Sequence, residues 1–495
     1  MKRMTVLSLM SVLVASSASA QTVQNIVLRN SFTPIGAGAR GVGMGGAFIA
    51  VADDGTAATF NPAGLGQLRR AELAVVGFSS GLRSNIQGDS PGSGSDSTHH
   101  AVDFVGLAIP FGVASRRLTF QLAYQRAVDL YGEGEAVVLG EVALTDLGID
   151  EEGSAAISVG VFPKQRGAFH NVSSALAFQV TDKLFLGAAL NYWMGDWTAS
   201  GSRRTTLVRV NPEAGRPLPA LPFSRIVTNF EQAQSMRGFN FNTGFLLKYE
   251  RVSFGGVLRL PFSGEYRLDE TNDTTYGSAG PSPPEYSEFG VTSRLAWPRS
   301  GGLGVAVRPF SGMTLSADVS TALWSRAAIE DLPSGALLTD TSTDAAGNPT
   351  GFTDRNFFDL LPKTVTKTAD TTQWRAGAEY LFAFPRIVIP VRAGVFRSNS
   401  PFSADGGATV EIRGFTVGTG INFNRFVLDL AFERRESEAA LGLRRLRSRS
   451  EDTSSYPVET VVFDRIVASL ILRFDTERGV GGFIHSLFAG KEEKK

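Results

Sequence analysis

The chain contains no cysteine among its 495 residues, which excludes disulfide bonds and thiolate metal sites. It also lacks an excess of charge of either sign, since 48 Lys and Arg balance 48 Asp and Glu. A chain without surplus positive charge has no electrostatic attraction for nucleic acid. No apolar run reaches the roughly 20 residues that a membrane-spanning helix needs. Glycine and phenylalanine are abundant instead, with 54 and 35 residues, a combination that favours β-structure.

Residues 1–20 have the pattern of a signal peptide. Lys2 and Arg3 precede an apolar stretch over residues 6–14, and Ala18 and Ala20 form the small-x-small motif that a signal peptidase cleaves. The apolar core is about a dozen residues long, too short to span a membrane. We therefore expect the chain to be exported.

Apolar residues in the rest of the chain alternate at period two. Residues 118–125 place Leu118 and Leu122 on one face and Gln121 and Gln125 on the other, and the pattern returns at residues 239–245 and 426–433. Segments of about ten residues match the length of a tilted strand that crosses a bilayer.

The connections between these segments alternate between short and long. We expect short turns at residues 114–116, 181–182, 250–251, 311–312, 385–386 and 424–425, and long loops at residues 81–100, 128–169, 198–236, 263–300, 325–372, 397–413 and 435–462. Outer-membrane barrels have short periplasmic turns, long external loops and an even strand number. The sequence therefore predicts an all-β fold, a transmembrane antiparallel β-barrel of fourteen strands over residues 70–474. Its first strand is expected at residues 72–80 and its last at residues 466–474.

The five tryptophans all fall where a predicted strand meets a predicted long loop. These residues are Trp193, Trp197, Trp297, Trp324 and Trp374. Because amphipathic indoles concentrate at membrane interfaces, we expect an aromatic girdle on the long-loop side.

Polar members of the alternating pairs should face the barrel interior. The candidates are Asn240, Asn242, Asp318, Asp429 and Glu433. They form either a solvated, mutually paired lining or a polar track along a transport path, and the sequence leaves both open.

A fourteen-stranded barrel is wide enough to leak if it is empty. Residues 21–69 precede the first strand and are rich in glycine, which permits positive φ and close backbone approach. We therefore predict that this segment is a hatch in the lumen. The candidate gate residues are Gly43, Gly45, Gly46, Asp53, Asp54, Asn61, Pro62 and Ala63.

Residues 38–54 and the Phe-Asn-Pro-Ala-Gly-Leu stretch at residues 60–65 resemble the hatch of the FadL-type outer-membrane transport family. Residues 315–319, 374–380 and 391–396 agree with that resemblance. It implies a fourteen-stranded barrel with a hatch that carries fatty acids or other hydrophobic molecules. The same motif also resembles barrels of the PorV type, which are secretion adaptors that bind proteins, so this alternative stays open.

Other chemistries lack support in the sequence. Residues 36–41 fit G-x-G-x-x-G, but no βαβ unit surrounds them. The four histidines, among them the adjacent His99 and His100, have no catalytic or metal-ligand spacing. We expect no enzyme activity, no cofactor and no metal.

The sequence thus predicts a passive transporter in the outer membrane of a Gram-negative cell. Apolar residues in the external loops are expected to capture the ligand: Leu218, Leu221, Phe223, Phe352, Phe357 and Phe358. The expected partners are a hydrophobic small molecule, outer-membrane lipids and, during biogenesis, the barrel-assembly machinery. We expect a monomer with a periplasmic tail at residues 475–495.

Overall fold

The structure is a computed structural model, and it describes only part of the chain. The described residues are 36–87, 94–113, 115–133, 136–143, 154–209, 225–277, 285–326, 328–330, 342–343, 349–351, 369–403, 409–440 and 458–474. The predicted signal peptide, the six loop residues predicted to capture ligand and the tail lie outside these residues.

Fourteen antiparallel strands form a closed barrel, which confirms the predicted fold class. In chain order they are β1 (Ala71–Gln87), β2 (Gly94–Val113), β3 (Arg116–Asp129), β4 (Ser154–Gln179), β5 (Leu184–Arg209), β6 (Arg225–Lys248), β7 (Val252–Arg259 and Phe262–Gly277), β8 (Glu285–Trp297 and Ser300–Val307), β9 (Met313–Ala322), β10 (Thr371–Ala383), β11 (Val388–Ser403), β12 (Thr409–Asn422), β13 (Phe426–Ala440) and β14 (Val458–Phe474). The barrel closes where β1 pairs with β14, from Ala71 opposite Phe474 to Gln87 opposite Val458. Closure leaves no edge strand in the membrane.

Several short strands extend the wall. Gly132–Glu133 and Ala136–Ala143 pair with β4, and Ala328–Glu330 pairs with β8. Ser342–Thr343 and Pro349–Gly351 form a separate small ladder. Before β1, residues 36–70 contain the helix α1 (Ala39–Gly43) and the 3₁₀ helices Ala57–Thr59 and Pro62–Gln67. A further 3₁₀ helix covers Trp324–Arg326.

The two faces of the wall follow the alternation in the sequence. Leu122 and Val395 face outward, 54% and 58% exposed, whereas Gln121 faces the lumen and is 1% exposed. A continuous outward apolar surface combined with a polar lumen is the arrangement of an outer-membrane barrel. Among the described residues, no helix is long and apolar enough to cross a membrane.

All six predicted short turns lie between strands, but the predicted long loops are too long. The stretches at residues 198–209, 225–236, 262–277 and 285–297 are paired strands that continue the barrel wall outward. Two prolines lie near the ends of the loop predicted at residues 263–300. Pro261 and Pro298 interrupt β7 and β8 because proline cannot donate to the ladder, yet the pairing of Arg259 with Ser300 resumes in the same register at Phe262 and Trp297.

Candidate functional site

Residues 36–70, which we call the hatch, fill the part of the lumen nearest the short turns. Arg117 Nη1, beside the first turn, donates to the carbonyl of Gly66 at 3.2 Å. Lys248 Nζ, at the third turn, donates to Gln67 Oε1 at 2.6 Å. The short-turn end of the barrel is therefore lined with side chains that bind the end of the hatch.

The glycine-rich part of the hatch turns sharply after α1. Gly45 and Gly46 have φ values of 67° and 74°, in the left-handed region that favours glycine. The turn exposes both polar groups of Gly45 to the wall, since its N–H donates to Thr416 Oγ1 at 2.9 Å and its carbonyl accepts from Arg375 Nη1 at 2.7 Å. This is a tight backbone turn bound to side chains of two strands.

Glycines in the wall face the hatch and allow its backbone to approach. A Cβ at Gly377 would collide with Met44, and one at Gly394 would collide with Gly45. On the other side of the barrel, a Cβ at Gly187 would collide with Pro62 and Ala63, and one at Gly244 with Asn61. Gly43 packs against Gly418. Glycines of the hatch and glycines of the wall thus both contribute to the close backbone approach.

Asn61 joins three parts of the structure through one side chain. Its Nδ2 donates to the carbonyls of Ile49 at 3.0 Å and Phe245 at 2.9 Å, and its Oδ1 accepts from the Ala63 N–H at 3.1 Å. Pro62 is the first residue of the 3₁₀ helix that Asn61 caps. Asn61 therefore holds the hatch turn, the hatch interior and β6 together.

Ion pairs connect the hatch to β10, β11 and β13. Arg40 binds Asp53 within the hatch and Glu379 in the wall. Arg392 binds the same Glu379 at 2.7 Å and Asp429 at 2.6 Å. The result is a chain of alternating charges that is buried at Glu379, Arg392 and Asp429 and partly exposed at Arg40 and Asp53. A buried charge is costly to leave without its partner.

Asp54 has a different role from its neighbour Asp53. It is 3% exposed, and its Oδ1 accepts from both the N–H and the hydroxyl of Thr56, at 2.9 and 2.6 Å. Burial raises the pKa of the Asp54 carboxyl, while Arg40 and Thr56 oppose that shift. Asp54 therefore stabilises the hatch from within.

The structure buries Asp318, Asp429 and Glu433, three of the predicted lumen residues, each at most 5% exposed. Asp318 Oδ2 accepts from the N–H groups of Phe48 and Ile49 at 2.7 and 2.9 Å. Glu433 pairs with Arg435 at 2.8 Å. Asp429 pairs with Arg392 of the wall. Each of these carboxylates thus binds the hatch or a wall arginine, which favours the paired lining over a charged track on this side of the lumen.

A cavity lies on the long-loop side of the hatch, and Ala58 and Thr59 of the hatch form its floor. Its walls carry amide side chains, including Gln121 and Gln125 and a hydrogen-bonded group on β5 and β6. In that group Asn191 Nδ2 donates to Asn240 Oδ1 at 2.8 Å, and Asn240 Nδ2 donates to Asn242 Oδ1 at 3.1 Å. The free space is about 40 Å³, enough for a few water molecules, so a larger ligand must displace side chains or the hatch.

Aromatic side chains line the same cavity. Their position inside the barrel shows that the predicted aromatic girdle is wrong. Trp193, Trp297 and Trp324 line it, and Trp197 lies beside them, all at most 8% exposed. Only Trp374 faces outward, at 61% exposed. The girdle was wrong because the wall continues past these tryptophans, so strand parity rather than loop proximity decides which way they point. Trp193 and Trp197 share the parity of Asn191, a signal present in the sequence.

The rings form a stacked group. Trp193 stacks on Phe262 and Trp297 with centroid distances of 5.9 and 6.2 Å, and Trp324 meets Trp297 edge-on at 5.0 Å. Aromatic rings in such arrangements offer flat apolar surfaces.

The wall next to the cavity has a gap between β2 and β3. Their pairing ends at Phe104 opposite Gln125, both of which line the cavity. Farther out, the described residues of β2 pair only with β1, and those of β3 only with β4. Side chains bridge the gap instead, since His99 Nδ1 and Asp129 Oδ2 lie 2.9 Å apart.

The described His99 and His170 each contact a neighbouring polar side chain. The Nδ1 of His170 lies 2.6 Å from the Tyr124 hydroxyl. Within the described part of the chain, no three His, Asp or Glu residues are placed to hold a metal ion.

Comparison with solved structures finds this fold in outer-membrane channels. The similar structures include a Pseudomonas aeruginosa FadL homologue (14% identity, TM-score 0.54, 90% of this chain and 100% of that one), the Pseudomonas putida toluene transporter TodX (14%, 0.53, 90% and 100%) and the Ralstonia pickettii toluene transporter TbuX (16%, 0.50, 90% and 100%). No family model and no curated protein matches the sequence. The FadL-type resemblance is thereby confirmed at the level of the fold.

Proposed function

We propose that this protein is a passive outer-membrane channel for small hydrophobic molecules. The observation that carries the proposal is the aromatic-walled cavity above the hatch, enclosed by a barrel with a lipid-facing exterior. Apolar walls with a few polar groups are typical of small-molecule sites. The similar structures, whose names describe toluene transport, support the same class of cargo.

The external side would supply the ligand. In this proposal the apolar loop residues, among them Leu221 and Phe357, capture it from water, and the extended outer strands lead it to the cavity. No energy source is needed because the flow follows the concentration gradient.

Two exits are compatible with the geometry, one past the hatch toward the periplasm and one sideways through the wall into the membrane. We favour the lateral exit. The β2–β3 gap adjoins the cavity at Phe104 and Gln125 and is bridged by side chains rather than by backbone hydrogen bonds. Side chains rearrange on a shorter timescale than a closed ladder opens. A hydrophobic ligand that leaves here enters the membrane without crossing water. Movement of the hatch around Asn61, Pro62 and Ala63 would make space for a ligand to enter the cavity.

Uptake measurements test the proposal. Cells that express the protein and cells that lack it are compared for uptake of radiolabelled toluene, an alkane and a long-chain fatty acid. Faster uptake of at least one compound supports the channel. Equal uptake of every compound, together with a stable protein complex in affinity-purified membranes, would instead indicate a secretion adaptor.

The exit is tested by cross-linking, which the absence of cysteine makes specific. A His99→Cys/Asp129→Cys variant joined by a short bifunctional thiol reagent should lose uptake. The control is Val113→Cys/Arg116→Cys, which joins β2 and β3 where they are already paired. Full uptake through the cross-linked gap would exclude the lateral exit.

A further inference from the structure

Arg259 introduces one positive charge into the cavity. Among the described residues that line the cavity it is the only charged one, and the rest are apolar, amide or hydroxyl side chains. Elsewhere in the lumen, Arg40, Arg392 and Arg435 each pair with a carboxylate. These three lumen arginines therefore have their charge balanced by a carboxylate, and the surroundings of Arg259 differ from theirs.

Within the part of the chain that the structure describes, the contacts of Arg259 leave its charge without a carboxylate partner. Its Nη2 donates to the carbonyl of Thr59 in the hatch at 3.3 Å, and no carboxylate of the described residues forms an ion pair with it. Residues 21–35, which precede the described hatch, contain no Asp or Glu. An arginine in a low-dielectric site is costly unless an anion accompanies it.

Hydrogen-bond donors flank this arginine. Strand register places Arg259 directly opposite Asn242 on one side and Ser300 on the other. Asn242 Oδ1 accepts from Asn240, so the amide group of Asn242 still has its donors for a ligand. A guanidinium with neighbouring amide and hydroxyl donors matches a carboxylate, which binds arginine at two points.

The aromatic group defines the rest of the ligand. Trp193, Phe262 and Trp297 stack within about 6 Å of one another, and Phe262 follows Arg259 in the same strand. Stacked rings favour a flat ring over a flexible chain.

We propose that the cavity selects aromatic carboxylates, with the carboxylate on Arg259 and the ring against Trp193 and Trp297. The inference rests on the proposed channel function and narrows its cargo to small aromatic acids. Neutral aromatic molecules would lack the ionic contact and bind less tightly.

Binding to the purified full-length protein in detergent tests this inference without transport. Quenching of tryptophan fluorescence is titrated with benzoate and with benzamide, its neutral analogue. We expect benzoate to bind at least tenfold more tightly to the unmodified protein. Equal affinity for the two compounds would overturn the inference, whatever the behaviour of any variant.

Variants assign the preference to Arg259. Arg259→Gln should remove the tenfold difference, and Arg259→Lys should keep part of it because the charge remains. The matched control is Arg267→Gln, which removes an exposed arginine of the same strand that pairs with Asp269 and should change nothing. A benzoate preference that survives in Arg259→Gln would refute the assignment.

The two proposals fail in different ways. Toluene uptake without a benzoate preference leaves the channel in place and removes the acid site. A benzoate preference that depends on Arg259, without uptake of radiolabelled benzoate or of any of the three compounds above, supports the site and removes the channel.

Discussion

Arg40 of the hatch and Glu379 of β10 form a two-point salt bridge, in which Nε donates to Oε2 and Nη2 donates to Oε1, both at 2.9 Å. The two residues are 339 positions apart in the chain. Their contact fixes the hatch against the wall, and it makes the position of the hatch accessible to experiment.

Replacing Arg40 should loosen the hatch. Arg40→Met leaves Asp53 without its partner and removes one of the two cations that bind Glu379, and breaking a buried pair costs about 3–5 kcal/mol. We expect higher conductance in planar bilayers and faster entry of a large hydrophilic antibiotic into cells.

The control for this change is Arg397→Gln, which breaks the exposed Arg397–Glu411 pair. Such a pair contributes only about 0–1 kcal/mol, so conductance should stay normal. Normal conductance in Arg40→Met as well would show that the salt bridge does not hold the hatch.

Asn61 provides a second test of the hatch. Asn61→Ala removes the donor from the carbonyls of Ile49 and Phe245, at about 1–3 kcal/mol for each buried carbonyl left unpaired. Hydrogen exchange should become faster at the Ala63 and Gly64 amides while the barrel strands stay protected. Unchanged protection in the hatch would mean that the glycine contacts suffice without Asn61.

The glycines in the wall allow a matched pair of substitutions. In Gly394→Ala the new methyl group would collide with Gly45, whereas in Gly112→Ala it meets nothing within 4 Å. Overpacking of this kind costs about 1–3 kcal/mol, so Gly394→Ala should lower the thermal unfolding midpoint and Gly112→Ala should not. Equal midpoints would place the hatch backbone farther from β11 than the structure does.

The tryptophans predict a spectroscopic result. Trp374 faces outward and the other four are buried inside the barrel. In vesicles of brominated lipid, quenching should fall almost to zero in Trp374→Phe, although most of the fluorescence remains. Strong residual lipid quenching in that variant would restore the girdle that the sequence predicted.

The barrel could be predicted from the sequence because the features that specify strands and turns lie in neighbouring residues. Alternation separates Leu122 from Gln121, and turn residues mark the periplasmic ends, so strand number and facing follow from neighbouring residues. The same alternation separates Asp318, Asp429 and Glu433, which are buried, from their outward-facing neighbours. The tryptophans were misplaced because closeness to a loop was given more weight than strand parity.

The details of the lumen were beyond sequence reasoning for a physical reason. The residues next to Arg40 in the sequence do not indicate that it binds Glu379. Those next to Arg259 do not indicate that it has no carboxylate partner among the described residues. Residues distant in the sequence come into contact only when the barrel closes. The gap between β2 and β3 likewise depends on register across two strands and not on composition.

The glycines that line the wall have a consequence for biogenesis. Hatch residues fit against glycines of β5, β6, β10 and β11, and β1 meets β14 only after the last strand is made. The hatch is synthesised first, but the recess that receives it is complete only at the end. The hatch can therefore reach its full set of contacts only late in assembly, when the wall is complete.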